Sequence, residues 1–269
     1  STQISGMSKN AFESYLFKDG KPMALTSLNK SDEAPFQYGH LSLKDILAVR
    51  DKRLAQTIDT VLLYNGRGFT RFNTGMESTS STGYGVAKYD NEAIPEGFRS
   101  QSGKNYTHAP LFWLSVIYLN YAEACAELGN ITQDDLDKSI NLLKDRAGLP
   151  HLNPIVGFSD PANNHGVSDL IWEIRRERRC ELMFDNDNRY WDLIRWHQLD
   201  KLDTTKYPDI ILGANVANDM DGCEANKIGK YIDGSKDGSR IYDKKHYLYP
   251  IPTGQIALNP QLAPNNPGW

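Results

Sequence analysis

Two consecutive stretches, "PLFWLSVIYLNYAEACAELGN" (110–130) and "TQDDLDKSINLLKDRAGLP" (132–150), constrain the fold more than any other part of the chain. In the first, Leu114, Ile117, Tyr121, Cys125 and Leu128 recur at three- and four-residue steps, the period of one helix face. Pro110 suits a first turn, where its missing N–H costs no hydrogen bond, and Gly129–Asn130 stops the run. In the second, Thr132 stands three residues before Asp135, the spacing of a capping box, and Gly148 with Pro150 behind it ends the helix. Two antiparallel helices, 111–128 and 132–147, joined by a tight turn, are therefore expected. Their lengths suit one tetratricopeptide-type unit, of which a single copy is visible.

Around this hairpin the chain alternates helical and irregular segments. "LSLKDILAVRDKRLAQTI" (41–58) carries Leu43, Ile46, Leu47 and Leu54 near helical spacing, with Ser42 as N-cap. "SDLIWEIRRERRCELMF" predicts a helix over 168–184, beginning at Ser168, and "RYWDLIRWHQL" a shorter one over 189–199. "YLFKDGKP" (15–22) reads as a short strand with an Asp-Gly turn, and "GYGVAKY" (83–89) as another strand piece. Strand is expected only in the 12–25 and 84–90 regions. Residues 64–110 are rich in Gly, Ser, Thr and Asn, and 151–167 and 203–245 are loop-like. The fold class that follows is mainly α: a tetratricopeptide-like helical scaffold with long irregular loops and a few short strands.

The 269 residues are 39% hydrophobic and 24% charged, enough apolar material to bury a core. A net charge of −4 and a pI near 5.9 give no global attraction to nucleic acid. No apolar stretch reaches membrane-spanning length, and "STQISGMSKN" lacks the basic and apolar regions of a signal peptide. Such a chain is either cytoplasmic or lacks its targeting segment. Cys125, Cys180 and Cys223 form no CxxC pair, and the first two fall in helical patterns as small buried apolar groups.

Several candidates for chemistry are weak. Glu177 and Glu181 sit four apart on one helix face, a spacing that could present two carboxylates to a substrate. Arg175, Arg176, Arg178 and Arg179 surround them, so both acids are expected to stay ionised in an ion-paired scaffold helix. In "NDNRYWDLIRWHQLD" (186–200), Arg189, Asp192 and Arg195 lie three apart and Trp191 four before Arg195. That helix is expected to pair its own charges, lay a guanidinium over an indole and turn Tyr190 and Trp196 inward. The six histidines have no metal-ligand spacing, and no P-loop, nucleophile elbow or dinucleotide fingerprint is present, so neither metal nor cofactor is expected. "NDMDGCE" around Asp219 and Asp221 fails calcium-loop spacing and reads as a turn. What remains is the 64–89 loop, where Tyr64, Arg67, Phe69, Arg71, Phe72, Asn73 and Tyr84 mix flat faces with hydrogen-bonding groups. Such residues either stack and bond a sugar or anchor a long loop onto the helices. Tyr84 is the weaker ligand candidate because its stretch reads as a packed strand.

Three segments together resemble one family. "IRRERRCELMFDNDNRYWDLIRW" is similar to the central motif of the SusD/RagB family, nutrient-binding lipoproteins of the Bacteroidetes outer membrane. "YLYPIPTGQIALNPQLAPNNPGW" resembles its C-terminal signature, and "WLSVIYLNYAEACAELG" with "INLLKDRAGLP" its helical hairpin. Departures are one extra residue between Phe184 and Arg189, Ile194 in place of a common Arg, an extra residue in "LAPNNPGW" and a closing Trp269 instead of Tyr. Glu177, Arg178, Glu181, Arg189, Asp192 and Trp196 match the motif position by position, in a structural role.

The resemblance implies that 1–269 is the family's C-terminal domain, with the hairpin at 111–147 and the signature helices at 168–199. It implies that the N-terminal half, with the lipid anchor and most of the tetratricopeptide helices, is absent from this chain. It also implies a surface-exposed outer-membrane lipoprotein, not an enzyme, that captures oligosaccharide and passes it to a SusC-like TonB-dependent transporter. No cofactor and no nucleic-acid partner are implied. A surface glycan-degrading enzyme and a peptide-binding member of the family are the alternatives.

Overall fold

The structure, a computed structural model, describes residues 6–28, 44–59, 80–88, 93–99, 101, 103, 104, 106, 108, 110–185, 188–215, 227–235 and 238–269. The protein is mainly helical. In chain order the helices are α1 (Lys9–Glu13), α2 (Lys44–Ala48), α3 (Lys52–Thr57), α4 (Glu96–Arg99) and α5 (Leu114–Glu127). They continue with α6 (Gln133–Asp137), α7 (Ile140–Ala147), α8 (Asp169–Glu181), α9 (Asn188–Arg195) and α10 (Thr253–Leu258). Strands β1 (Leu212–Asn215), β2 (Lys227–Ile228) and β3 (Tyr231–Asp233) form an antiparallel sheet in the order β1-β3-β2.

The hairpin forms, with two changes. Its first helix starts at Leu114, so Pro110 lies ahead of it and Leu111 and Phe112 are exposed. Its second arm is split into α6 and α7, because the Ser139 hydroxyl donates to the Asp135 carbonyl oxygen (2.5 Å) and competes with the helical ladder. The start is the expected capping box, in which the Thr132 hydroxyl accepts from the Asp135 N–H and the Asp135 carboxylate accepts from the Thr132 N–H (2.9 Å). The end is a Schellman motif. Gly148 takes the left-handed conformation (φ 71°), and the N–H groups of Leu149 and Gly148 donate to the carbonyls of Lys144 and Asp145.

The periodic stripe of α5 faces the opposite way from expectation. Leu114, Ile117, Tyr121 and Leu128 are exposed, whereas Leu119 and Ala122 are fully buried with Leu136, Ile140, Leu143 and Ile174. The helix is apolar around most of its circumference, so periodicity alone could not choose its inner face.

A second core gathers Met7, Phe12, Tyr15, Leu54, Ile58, Tyr84, Ala214 and Ile232. Here the strand expectations are corrected. Residues 15–22 form a turn held by one bridge, Phe17 to Arg50, and of the 84–90 region the described residues, 84–88, contribute the isolated bridges Gly6–Gly85 and Ile58–Val86. The sheet lies instead within 212–233, in a region expected to be loop. Strands of two to four residues are too short to show alternation, and closeness does the specifying. The Ala214 N–H donates to the Thr82 carbonyl (2.9 Å), and a Cβ on Gly213 would come within 2.3 Å of that same oxygen. The 41–58 segment is likewise broken, at Arg50–Asp51, where the Asp51 side chain accepts from the Arg53 N–H and caps α3. Ser42 lies outside the described residues.

Helix α8 is the hub, packed along α5 and touching α3 and α7. Ser168 caps it as expected, its hydroxyl accepting from the Ile171 N–H. Glu173, Glu177 and Arg178 are buried to an unusual degree for such side chains, and Glu177, Arg178 and Glu181 are matched from other elements. No helix among the described residues is long and apolar enough to cross a membrane.

Candidate functional site

Motif residues Glu177, Arg178, Glu181 and Asp192 belong to two ion-pair clusters around α8. In one, Glu177 is 2% exposed and accepts from Arg53 of α3, with Lys144 of α7 at 3.7 Å. Glu181 accepts from Arg53 (2.9 Å) and from Arg146. Their partners are therefore not the neighbouring arginines of α8, as its spacing led one to expect. Burial pushes Glu177 toward neutrality, but Arg53 and Lys144 outweigh it and hold its pKa below 4.5. In the second cluster, Arg178 donates to both Asp192 oxygens (2.9 and 2.7 Å), tying α8 to α9. Arg195 donates to Asp192 (2.9 Å) and to both oxygens of Glu123 on α5. The Trp196 indole N–H donates to Glu123 as well (2.6 Å).

Helix α9 therefore does not pair all its own charges. Trp191 is exposed, Tyr190 reaches Tyr249 at the surface, and the indole under Arg195 is that of Trp196, at 4.6 Å. Arg189 has no hydrogen bond or ion pair among the described residues. Its guanidinium lies 5.9 Å from the Trp196 ring.

Arg189 lines a cavity of about 500 Å³ between α1, the 160–164 loop, α8, α9 and the short 3-10 helices Leu199–Leu202 and Pro208–Ile210. Six of the lining residues are Arg or Lys and three are Asp or Glu, an excess of three basic side chains. Arg176 is spoken for, donating to Asp160, Glu173 and the Ser14 carbonyl. Among the described residues Arg179 bonds only the Asn10 side-chain oxygen (2.7 Å), and Lys201 lies over the Trp172 ring at 4.5 Å. Burial lowers the pKa of Arg179. Burial and then the neighbouring Arg179 bring Arg189 down to about 9, still charged at neutrality. Burial, with Arg189 and Arg179 beside it, brings Lys201 to about 7. Both cavity indoles are already engaged: Trp196 by Arg175 and Arg195, each at 4.6 Å, and Trp172 by Lys201 and its own bond to Asp160 (3.1 Å). The cavity thus offers charge more than stacking faces.

Of the expected ligand residues, Tyr84 is described, and it is a core residue. Its ring is 5% exposed and stacks on Phe12 at 4.4 Å, leaving no face for a sugar. Tyr64, Arg67, Phe69, Arg71, Phe72 and Asn73 lie outside the described residues, as do Asp219, Asp221 and Cys223. Sequence reasoning missed Arg179, Lys201 and Trp172 as cavity residues; the arginine-rich run of α8 was the available signal, but it read as self-paired.

The described residues bring together no nucleophile, base and orienting group. Burial raises the Cys180 thiol to about 12, far from a thiolate. His165 meets Tyr207 (3.3 Å) and His151 meets Asp145 (2.8 Å), with no nucleophile at either. No group of three metal-ligating side chains occurs among the described residues.

Comparison with curated proteins and with solved structures returns no match. The sequence model described as the SusD family matches residues 4–269, nearly the whole chain and all of the ion-paired segments around α8 and α9. Members of that family are generally surface nutrient-binding proteins rather than enzymes. The chain belongs to the SusD family.

Proposed function

We propose that this protein captures oligosaccharides at the cell surface and delivers them to a SusC-like TonB-dependent transporter, as an outer-membrane lipoprotein. The observation that carries the reading is the family match over 4–269. The burial of the motif carboxylates in ion pairs supports it, since Glu177 and Glu181 are committed to Arg53, Lys144 and Arg146 and are not poised as a catalytic pair. Incubation with candidate glycans followed by product analysis separates this reading from a glycan-degrading enzyme: intact glycan is expected, and release of shorter products would overturn it.

The 64–89 loop is the proposed contact for the sugar rings, with Tyr64, Phe69 and Phe72 stacking and Arg67, Arg71 and Asn73 bonding hydroxyls. A ring stacked on a sugar buries apolar area, so Tyr64→Ala, Phe69→Ala or Phe72→Ala should weaken binding by about 1–3 kcal/mol. Calorimetry against a bound glycan checks this; equal affinity in all three folded variants would place the contact elsewhere.

The chain is also proposed to be the C-terminal part of the family's architecture. The exposed stripe of Leu114, Ile117, Tyr121 and Leu128 on α5 supports this, because helical repeats bury such faces against a neighbour. A longer polypeptide carrying further helices of that kind should bind less of a hydrophobic dye per molecule than this chain. Dye binding that is equal or greater would count against it.

A further inference from the structure

We propose that the cavity between α1, α8 and α9 is an anion-binding site that takes the acidic group of an oligosaccharide, a uronate carboxylate or a sulfate ester. The sugar part of this inference rests on the glycan-capture reading, whereas the anion part rests on the cavity itself. Arg179, Arg189 and Lys201 come from three separate elements, α8, α9 and the 3-10 helix after it, and converge on one space. None has a carboxylate within ion-pair distance among the described residues. Elsewhere around α8 the buried cations do have one: Arg53 has three carboxylates, Arg178 has Asp192 and Arg176 has Asp160 and Glu173.

The acids that line the cavity cancel these charges only in part. Asp160 accepts from Arg176 and from the Trp172 indole and Glu13 pairs with Lys9, whereas Asp209, bonded to Asn10 (2.6 Å), favours Arg179 through space and leaves Arg189 and Lys201 to the cavity. Among the described residues, the other buried cations around α8 are matched by carboxylates and these three converging ones are not, which leaves a net field that a bound oxyanion would complete. Burial first, and then the neighbouring cations, lower the pKa values of Arg189 and Lys201, and a bound anion would offset both effects. Guanidinium forks suit carboxylate and sulfate oxygens alike through paired N–H donors. The volume, about 500 Å³, accommodates a sugar residue together with its acidic group.

The test is calorimetric titration of the protein with four probes: an oligogalacturonate, a chondroitin-sulfate oligosaccharide, a neutral malto-oligosaccharide and inorganic sulfate. Binding of one of the two acidic oligosaccharides is expected, weakening with added salt, and which of them binds identifies the carboxylate or the sulfate ester. Arg189→Gln and Lys201→Gln should each weaken that binding about ten- to hundredfold, the range for a lost hydrogen bond to a charged group. Lys201 is only partly buried and has no ion pair among the described residues, so its variant should fold even where Arg189→Gln does not, and thermal melting checks both. Unchanged affinity in the folded variants would overturn the proposal. Binding of the neutral oligosaccharide alone would overturn it while leaving glycan capture standing. Arg189-dependent binding of inorganic sulfate without either acidic glycan would keep the anion site and overturn the assignment of its ligand, and with it count against glycan capture. Failure of all four probes would overturn both.

Discussion

Replacing Glu177 by alanine is expected to destabilise the protein by about 3–5 kcal/mol, the cost of leaving buried charge without its partner. The side chain is 2% exposed, and the two cations it serves, Arg53 and Lys144, have side chains 7% and 4% exposed. Neither can swing into water when the carboxylate goes. Arg53 keeps Asp51 and Glu181, so Lys144 bears most of the loss. Urea denaturation of the variant measures the effect, and a change below about 1 kcal/mol, the size of an exposed pair, would refute it. The pH dependence has a definite sign. Glu177 is held below its ordinary 4.5 in the folded state. Its contribution is therefore present above the unfolded carboxylate range and lost as pH falls through the folded value. Glu173, raised by burial, acts in the opposite sense, so the difference between wild type and Glu177→Gln across that range isolates Glu177. That difference should shrink on acidification.

The partner of Glu177 is also where sequence reading reached its limit. Helix geometry makes i, i+3 and i, i+4 neighbours visible, and the arginines of α8 therefore looked like the partners of its own acids. The observed bond runs 124 residues back along the chain, to Arg53, and no local pattern announces it. Boundaries set by local chemistry were legible: the Thr132 capping box, the Ser168 cap and the Gly148 stop all act within one turn. The inner face of α5 was not, because an all-round apolar helix has no preferred side until its neighbours exist. The sheet within 212–233 was hidden for the same reason, since its position depends on the approach of Thr82 to Gly213. The cavity cations were present in the sequence as separate residues, and only the meeting of α8, α9 and the helix after it makes them one group. The family motif identified the chain because it encodes this mesh of long-range pairs.

Asp192→Asn should separate stability from charge in that mesh. The carboxylate is buried and joins Arg178 of α8 to Arg195 of α9. Arg195 has a side chain 43% exposed and can find water, but that of Arg178 is 8% exposed and retains only Asn120 (2.9 Å). Loss of the charge is therefore expected to cost about 3 kcal/mol, at the lower end for a buried pair because one neutral partner remains. The same carboxylate raises the pKa of Arg189, one of its few favourable neighbours. Removing it makes the cavity more positive, so affinity for an acidic oligosaccharide should hold or rise while the fold weakens. Urea denaturation and calorimetry on one variant read the two effects independently. Parallel loss of both would mean that Asp192 shapes the cavity rather than offsetting its charge, since a purely electrostatic role predicts opposite signs.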